Sequence, residues 1–420
     1  MVNKPHRSPS PPPPCPHRSG AAPARSGPSP APATPLRRAR NPILPAPANR
    51  LCATRACPDV AAPGPRARWI LLPCHRIRRS ASMIVKPTRS TDMRPCTRRP
   101  GGCGLAGLAG QLTQRDRWLL RMLHEHKVLT TAQITNLGFD SAPVARRRML
   151  KLHRRFGVVD KFRPQRTVGS FPDHYVLSPA GVEVLAAEVG RGAKELGYRR
   201  DRTARIALSL RLAHTIGVNE WFTSLTAPAI RQRRDDSRLL AWWSETRCAQ
   251  LWGDLVRPDG YGRWTRAGAR VDFLLEFDLA TMALGDVAGK LAGYAELARQ
   301  TRIVTPVLLW VPTHRREIDA RHALTRMWNS LDDPASVPVA TAAADLLDPA
   351  SAHLSPAERV WLPLDHTGHG RLELHQLAEV WPRVTESSAI TAQASTAAAP
   401  GTRAVLDAPS PTPPRVGDRR

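Results

Sequence analysis

Two groups of side chains in this sequence have the types and spacing to do chemistry. The first is acidic. Val271-Asp272-Phe273-Leu274-Leu275-Glu276-Phe277-Asp278 alternates as a strand does, placing Asp272, Leu274, Glu276 and Asp278 on one face and Val271, Phe273, Leu275 and Phe277 on the other. Three carboxylates on one strand face repel one another unless they are well solvated or share a cation. Upstream, Pro258-Asp259-Gly260 adds an acid in a sequence that is also an ordinary turn, just as acids on a half-exposed strand are ordinary. The second group is basic. Arg146, Arg147, Arg148, Lys151, Arg154 and Arg155 put six positive charges within ten positions, with no acid between them. Such a cluster binds phosphates and sets register without identifying a base sequence; its bland counterpart is a solvated helix face.

The bases need a helix, and the local signals supply one. Thr113 with Asp116 reads as a capping box opening a helix with Leu119, Met122 and Leu123 inward, and Thr130 with Gln133 reads as a second, closed by Gly138. Ser141 then caps a third helix with Pro143 in its first turn. Its residues Ala145, Met149, Leu152 and Phe156 recur at spacings of four, three and four, a single buried face that leaves Arg147, Lys151 and Arg154 on another. Val158–Phe162, a polar turn around Gly169 and His174–Leu177 form a hairpin, and Ser178-Pro179-Ala180-Gly181 starts a closing helix to about Val189. Three helices, a hairpin and a helix make the order of a winged helix-turn-helix, whose third helix enters the major groove.

The acids need a sheet. A long helical pattern over about 201–232 carries Ile206, Leu210, His214, Val218 and Phe222, with His214 read as a packed or interface histidine rather than a ligand. Leu239–Thr246 reads as a strand, Val256–Tyr261 runs from strand into turn, and 271–278 is the third strand. A helix over about Asp286–Arg299 carries Lys290; a strand at Thr305–Val311, a helix over Arg316–Leu331 and a strand at Val337–Thr341 follow.

That order, with Pro258-Asp259 and then Glu276, resembles the PD-(D/E)xK nuclease superfamily. The resemblance implies that Asp259 and Glu276 hold Mg²⁺ or Mn²⁺, hard cations suited to oxygen ligands, so that the metal activates water and neutralises the phosphate under attack. Asp278 stands where that superfamily usually has a lysine two residues after the second acid. Asp278 is then a candidate further ligand, and Lys290 a lysine that reaches back from the next helix, with Glu245 a weaker candidate. The whole of about 112–345 resembles the replication-relaxation family of actinobacterial and firmicute mobile elements. The residues that carry this are Leu112–Asp116, Val128–Gln133, His174–Gly181, Leu212-Ala213-His214, Val218-Asn219, Arg257–Gly262 and Leu275–Asp278, with Lys290 and Tyr294. The resemblance implies a role in plasmid replication, relaxation or mobilisation.

The totals bound these readings. The 420 residues carry a formal net charge of +27, which favours a polyanionic partner. Residues 1–110 contribute 19 Lys and Arg against 2 Asp and Glu, and 22 of the 41 prolines, so the folded part is far less basic than the whole. This segment is expected to be a disordered basic tail. An over-long gene start, with Met83 or Met93 as the true initiator, is the alternative. The cysteine spacings among Cys52, Cys57, Cys74, Cys96 and Cys103 are not those of zinc sites, and only Cys248 lies in the expected folded part. With no apolar run long enough for a bilayer and no secretory h-region, a cytoplasmic location is expected. His366, His369 and His375 do not share a helical face and read as a solvated loop.

The expected architecture is therefore multidomain α+β. It comprises a disordered segment 1–110, a winged helix-turn-helix at 111–192, an α/β restriction-endonuclease-like domain at 200–345, a poorly defined extension at 346–385 and a disordered tail at 386–420. The expected partners are double-stranded DNA and plasmid replication or transfer proteins, with a homodimer as the oligomer. The competing reading is a transcriptional regulator or antitoxin-like repressor whose second domain is not catalytic.

Overall fold

The structure, a computed structural model, describes residues 105–164, 171–199, 211–231, 236–348, 355–381, 384 and 406–414. The expected basic tail before Leu105, its cysteines, the turn around Gly169 and the first half of the 201–232 helix lie outside the described residues. The described part is mixed α+β, built on two sheets.

Helix α1 (Leu105–Gln111) precedes α2 (Gln114–His126), which opens on the Thr113–Asp116 capping box with both reciprocal bonds formed. Strand β1 (Val128–Thr130) leads into α3 (Thr131–Gly138) through the Thr130–Gln133 box, also complete. Helix α4 (Ala142–Lys151) follows; Ser141 is its N-cap by position, without the side-chain bond. It continues as a wider π turn over Leu152–Phe156 and stops where Gly157 takes a left-handed φ of 66°. Ala145, Met149, Leu152 and Phe156 are all buried, as their spacing requires. Strands β2 (Val159–Phe162) and β3 (His174–Leu177) pair antiparallel, and β3 also pairs with β1, giving the order β1-β3-β2. Helix α5 (Pro179–Glu188) closes the module, with Ser178 capping it from its side chain.

Helix α6 (Leu212–Arg231) leads to a six-stranded mixed sheet. Strands β4 (Arg238–Ser244), β5 (Gly260–Arg266) and β6 (Ala269–Phe277) are antiparallel neighbours. Helices α8 (Leu284–Thr301) and α9 (His314–Trp328) connect β6 to β7 (Val307–Val311) and β7 to β8 (Val339–Ala343), which lie parallel in turn. Strand β9 (Leu362–Pro363) closes the far edge antiparallel to β8.

Period-2 alternation divides this sheet cleanly. Val271, Phe273 and Leu275 of β6 and Leu308 and Trp310 of β7 join one core cluster; Leu274, Val307, Leu309 and Val311 join the other with α8 and α9. Both faces are covered, so β7 reads as a continuous apolar run, and Asp272, Glu276 and Asp278 are buried rather than half-exposed. The first cluster runs without interruption from Leu119, Met149 and Leu185 through Trp221 and Phe222 of α6 to Phe273 and Leu308. The two sheets therefore share one core.

The structure differs from the sequence reading in several places. The strand expected to Thr246 stops at Ser244, whose hydroxyl accepts from the Arg247 amide and starts helix α7 (Glu245–Trp252). The expected strand-to-turn at 256–261 is instead the entry to β5. There the Phe222 ring presses against Gly260 and the Phe222 and Phe273 rings against Gly262, so closely that a Cβ at Gly262 would stand 2.3 Å from Phe273. Ser355–Trp381, expected to be ill-defined, is packed, with Trp361, Leu374 and Leu377 fully buried. Within the expected disordered tail, Leu406–Pro414 is described; Leu406 joins the core cluster, and Trp118 of α2 donates to the Ser410 carbonyl.

Candidate functional site

The acids meet where β5 begins and β6 ends. The Asp259 amide donates to the Leu275 carbonyl at 2.9 Å, which registers the Pro258-Asp259 turn against β6. In return the Phe277 amide donates to Asp259 Oδ2 at 2.8 Å. His214 of α6 brings Nε2 to 3.2 Å from the same oxygen and 3.0 Å from the Phe277 carbonyl oxygen. Both are acceptors, so Nε2 carries the proton and donates. Asp259 Oδ1 takes no hydrogen bond from the described residues.

Glu276 is met from α8. Lys290 Nζ donates to its Oε2 at 2.5 Å, and the Tyr294 hydroxyl donates to its Oε1. Lys290 and Tyr294 are four residues apart on one helix and therefore share a face. Burial first, and the Asp259 carboxylate second, push Glu276 up to about 7, against the opposing pull of Lys290 and Tyr294. Burial works against the Lys290 charge, but Glu276 and Asp259 outweigh it and raise its pKa. For His214, burial is again outweighed, here by Asp259, Glu245 and the Phe277 carbonyl, so its pKa is raised. Burial carries the Tyr294 hydroxyl well above the usual phenol range.

The structure thus brings Asp259, Glu276 and Lys290 into one electrostatic unit. Asp278 stands apart from it. Just beyond the end of β6, its Oδ2 accepts from Arg316 Nε of α9 at 2.7 Å and its Oδ1 from the Ala280 amide at 2.8 Å. Glu245 sits at the start of α7, near enough to act on His214 and Lys290 through its charge. Tyr294 and His214 are the site residues that the sequence reading did not assign. The i, i+4 spacing from Lys290 could have pointed to Tyr294, and the Leu212-Ala213-His214 match to the family resemblance could have pointed to His214.

A divalent cation would have to displace protein donors to bind here. Both Glu276 oxygens and one Asp259 oxygen already accept hydrogen bonds, and no three His, Cys, Asp or Glu among the described residues come together as metal ligands. What the arrangement can do is hold a proton at Glu276 near neutral pH beside a half-buried ammonium.

The basic face is on α4. Arg146, Arg147, Lys151, Arg154 and Arg155 are exposed, and Lys151 and Arg155 stand 5.7 and 5.5 Å from the centre of the Phe156 ring. Arg148 does not belong with them. It turns inward to the buried Asp116, donating from Nε at 2.6 Å and again from the guanidinium end. Val144 and Leu150 are the apolar residues exposed on the same helix. On the hairpin, Lys161 and Arg163 both pair with Asp173 and are partly neutralised.

The two sites are held in one frame. Glu125 at the end of α2 accepts from the Ser244 amide and hydroxyl and from Arg247 Nε and Nη2, all at 2.8–3.1 Å. Burial alone would raise its pKa, but Arg247 overrides it and holds the carboxyl down at about 2. From α6, Asn219 donates to the carbonyls of His126 and Val128, five residues along from the histidine that touches Asp259.

An acid–lysine–tyrosine cluster on a mixed sheet shares one core with a small helical module that bears a basic helix. Residues 120–308 match the model of the replication-relaxation family. The matched span contains α4 as well as His214, Asp259, Glu276, Lys290 and Tyr294. No curated protein and no solved structure matches the chain.

Proposed function

We propose that this protein binds double-stranded DNA through α4, as a winged helix-turn-helix, and acts in the replication, relaxation or mobilisation of a plasmid or other mobile element. The observation that carries this reading is the exposed face of α4. Five basic side chains project from one helix, no described acid neutralises them, and the buried face of the same helix is locked into the core. Phosphate neutralisation by such a face supplies affinity for any duplex, and the residues at the start of the helix supply readout.

The six-stranded sheet is, on this reading, a PD-(D/E)xK-like domain placed beside the DNA. Asp259 and Glu276 occupy the two acidic positions, with Lys290 as the migrated lysine, and Mg²⁺ or Mn²⁺ is the cofactor if the domain cleaves. One observation favours the second reading, a DNA-binding regulator with a non-catalytic second domain: three of the four carboxylate oxygens are already engaged by protein donors. Incubating the full chain with supercoiled plasmid and Mg²⁺ or Mn²⁺, beside Asp259→Ala and Glu276→Ala, separates the two. A gel shift accompanied by nicking that both variants lose supports a nuclease. A gel shift with intact plasmid supports the regulator. Absence of a shift at moderate salt contradicts both.

A further inference from the structure

The segment Leu406–Pro414 lies on the helical module, although neither helix nor strand holds it. Two of its carbonyls accept hydrogen bonds from side chains of the body. Arg247 Nη2 donates to the Leu406 carbonyl at 2.7 Å, from the same guanidinium that grips Glu125. Trp118 Nε1 of α2 donates to the Ser410 carbonyl at 2.7 Å. Leu406 and Pro411 are buried, and Pro413 reaches α3, its Cβ 3.6 Å from where a side chain on Gly138 would begin. The Trp118 ring is 3.0 Å from that same point, so the missing side chain of Gly138 is what lets ring and proline meet.

These are the elements of proline-rich peptide recognition. Four of the six residues Pro409–Pro414 are proline. Proline fixes φ near −65° and has no N–H, so such a run is already extended, loses little entropy on docking and offers carbonyls as its polar handles. An indole that lies along the segment and donates to one carbonyl reads that shape. The pattern Pro-Ser-Pro-x-Pro of residues 409–413 also stands at 9–13 and 28–32 of this sequence.

We propose that the surface formed by Trp118 and Gly138, with Arg247 holding the chain just before it, is a binding groove for segments of the pattern Pro-Ser-Pro-x-Pro. Residues 409–413 are its resident occupant, and the same pattern on a second copy of the chain is its exchange partner. The resident segment is joined to Val384 by 21 residues, which sets an effective concentration on the order of millimolar for the occupant in cis. Exchange between copies is therefore governed by how firmly the cis segment is held.

The test uses the full chain and a fluorescein-labelled peptide of residues 406–414, read by anisotropy. Pro411→Asp with Pro413→Asp loosens the resident segment and is expected to raise affinity for the labelled wild-type peptide at least tenfold over the unaltered chain. Adding Trp118→Phe, which keeps a ring and removes the donor, should reverse about tenfold of that gain, the worth of one buried hydrogen bond. A peptide of residues 8–14 should compete, and a scrambled 406–414 peptide should not. Amide resonances of the unaltered chain keep the test independent of how the double variant folds: saturating peptide should move the Leu406 and Ser410 signals toward random-coil positions as the resident segment is displaced, while leaving those of α2 in place. Equal binding of the scrambled peptide, indifference to Trp118→Phe, or a folded double variant that binds no peptide overturns the proposal.

Discussion

Arg148 and Asp116 form an ion pair that removes one arginine from the basic face of α4 and spends it on the fold. Asp116 is 1% exposed, caps α2 through Thr113, and takes two hydrogen bonds from the guanidinium. Removing one partner of a buried pair leaves the other uncompensated, at a cost of about 3 kcal/mol. Arg148→Ala is therefore expected to lower the urea midpoint clearly, whereas Arg147→Ala on the exposed face should move it by no more than about 0.5 kcal/mol. Equal loss of stability in both would contradict this division.

The junction between module and sheet is expected to be acid-sensitive. His126 stacks on Trp242 with ring centroids 3.4 Å apart, and its Nε2 has no hydrogen-bond partner. Burial, more than the nearby Lys127 and Arg247 charges, lowers its pKa to about 3. The unfolded chain therefore binds a proton below about 6.5 that the folded chain refuses, so the stability His126 lends is whole above pH 6.5 and drains away as pH falls toward 3. Burial lowers His174 to about 4, and it acts in the same direction. Glu276 and His214, both raised, act in the opposite direction over the same window, so the test compares urea unfolding free energies of the wild type and a variant at pH 7, 6 and 5. His126→Phe, which keeps the stack and has no ring nitrogen, should flatten the slope by about 1.4 kcal/mol per pH unit. An unchanged slope in that variant would remove His126 from the account.

His214 is expected to act through Asp259 rather than on a ligand of its own. It supplies one of the two donors to Asp259 Oδ2, the Phe277 amide being the other. His214→Leu should cost about 1–3 kcal/mol, the penalty for a buried acceptor left short of a donor, and His214→Gln, with an amide N–H at a comparable reach, should recover part of it. Equal effects from Leu and Gln would mean that His214 only fills space.

How much of this was legible in the sequence depended on range. The capping boxes at Thr113 and Thr130, the buried face of α4 and the alternation of β6 are local patterns, and each stands in the structure where its spacing puts it. Strand β5 was not legible. Gly260 and Gly262 read as turn residues, and only the Phe222 and Phe273 rings packed over them explain why glycine stands in a strand. The Arg148–Asp116 pair spans 32 residues, so nothing near Arg148 marks it as different from its neighbours. Proline content argued for disorder over 386–420, and it argues as well for a pre-extended ligand once Trp118 is in place beside it. The acid site was half legible: residue types singled out Asp259, Glu276 and Lys290, whereas the diversion of Asp278 to Arg316 depends on where α9 begins.

The most direct test of DNA binding through α4 is the salt dependence of affinity for a duplex, measured by anisotropy on the full chain. Arg147→Ala with Lys151→Ala removes two exposed charges, and the slope of log K against log salt should become shallower by about 1.8, with affinity reduced on every duplex sequence. Arg148→Ala should leave that slope unchanged. A wild-type slope in the double variant, or a slope changed only by Arg148→Ala, would contradict α4 as the DNA-binding element.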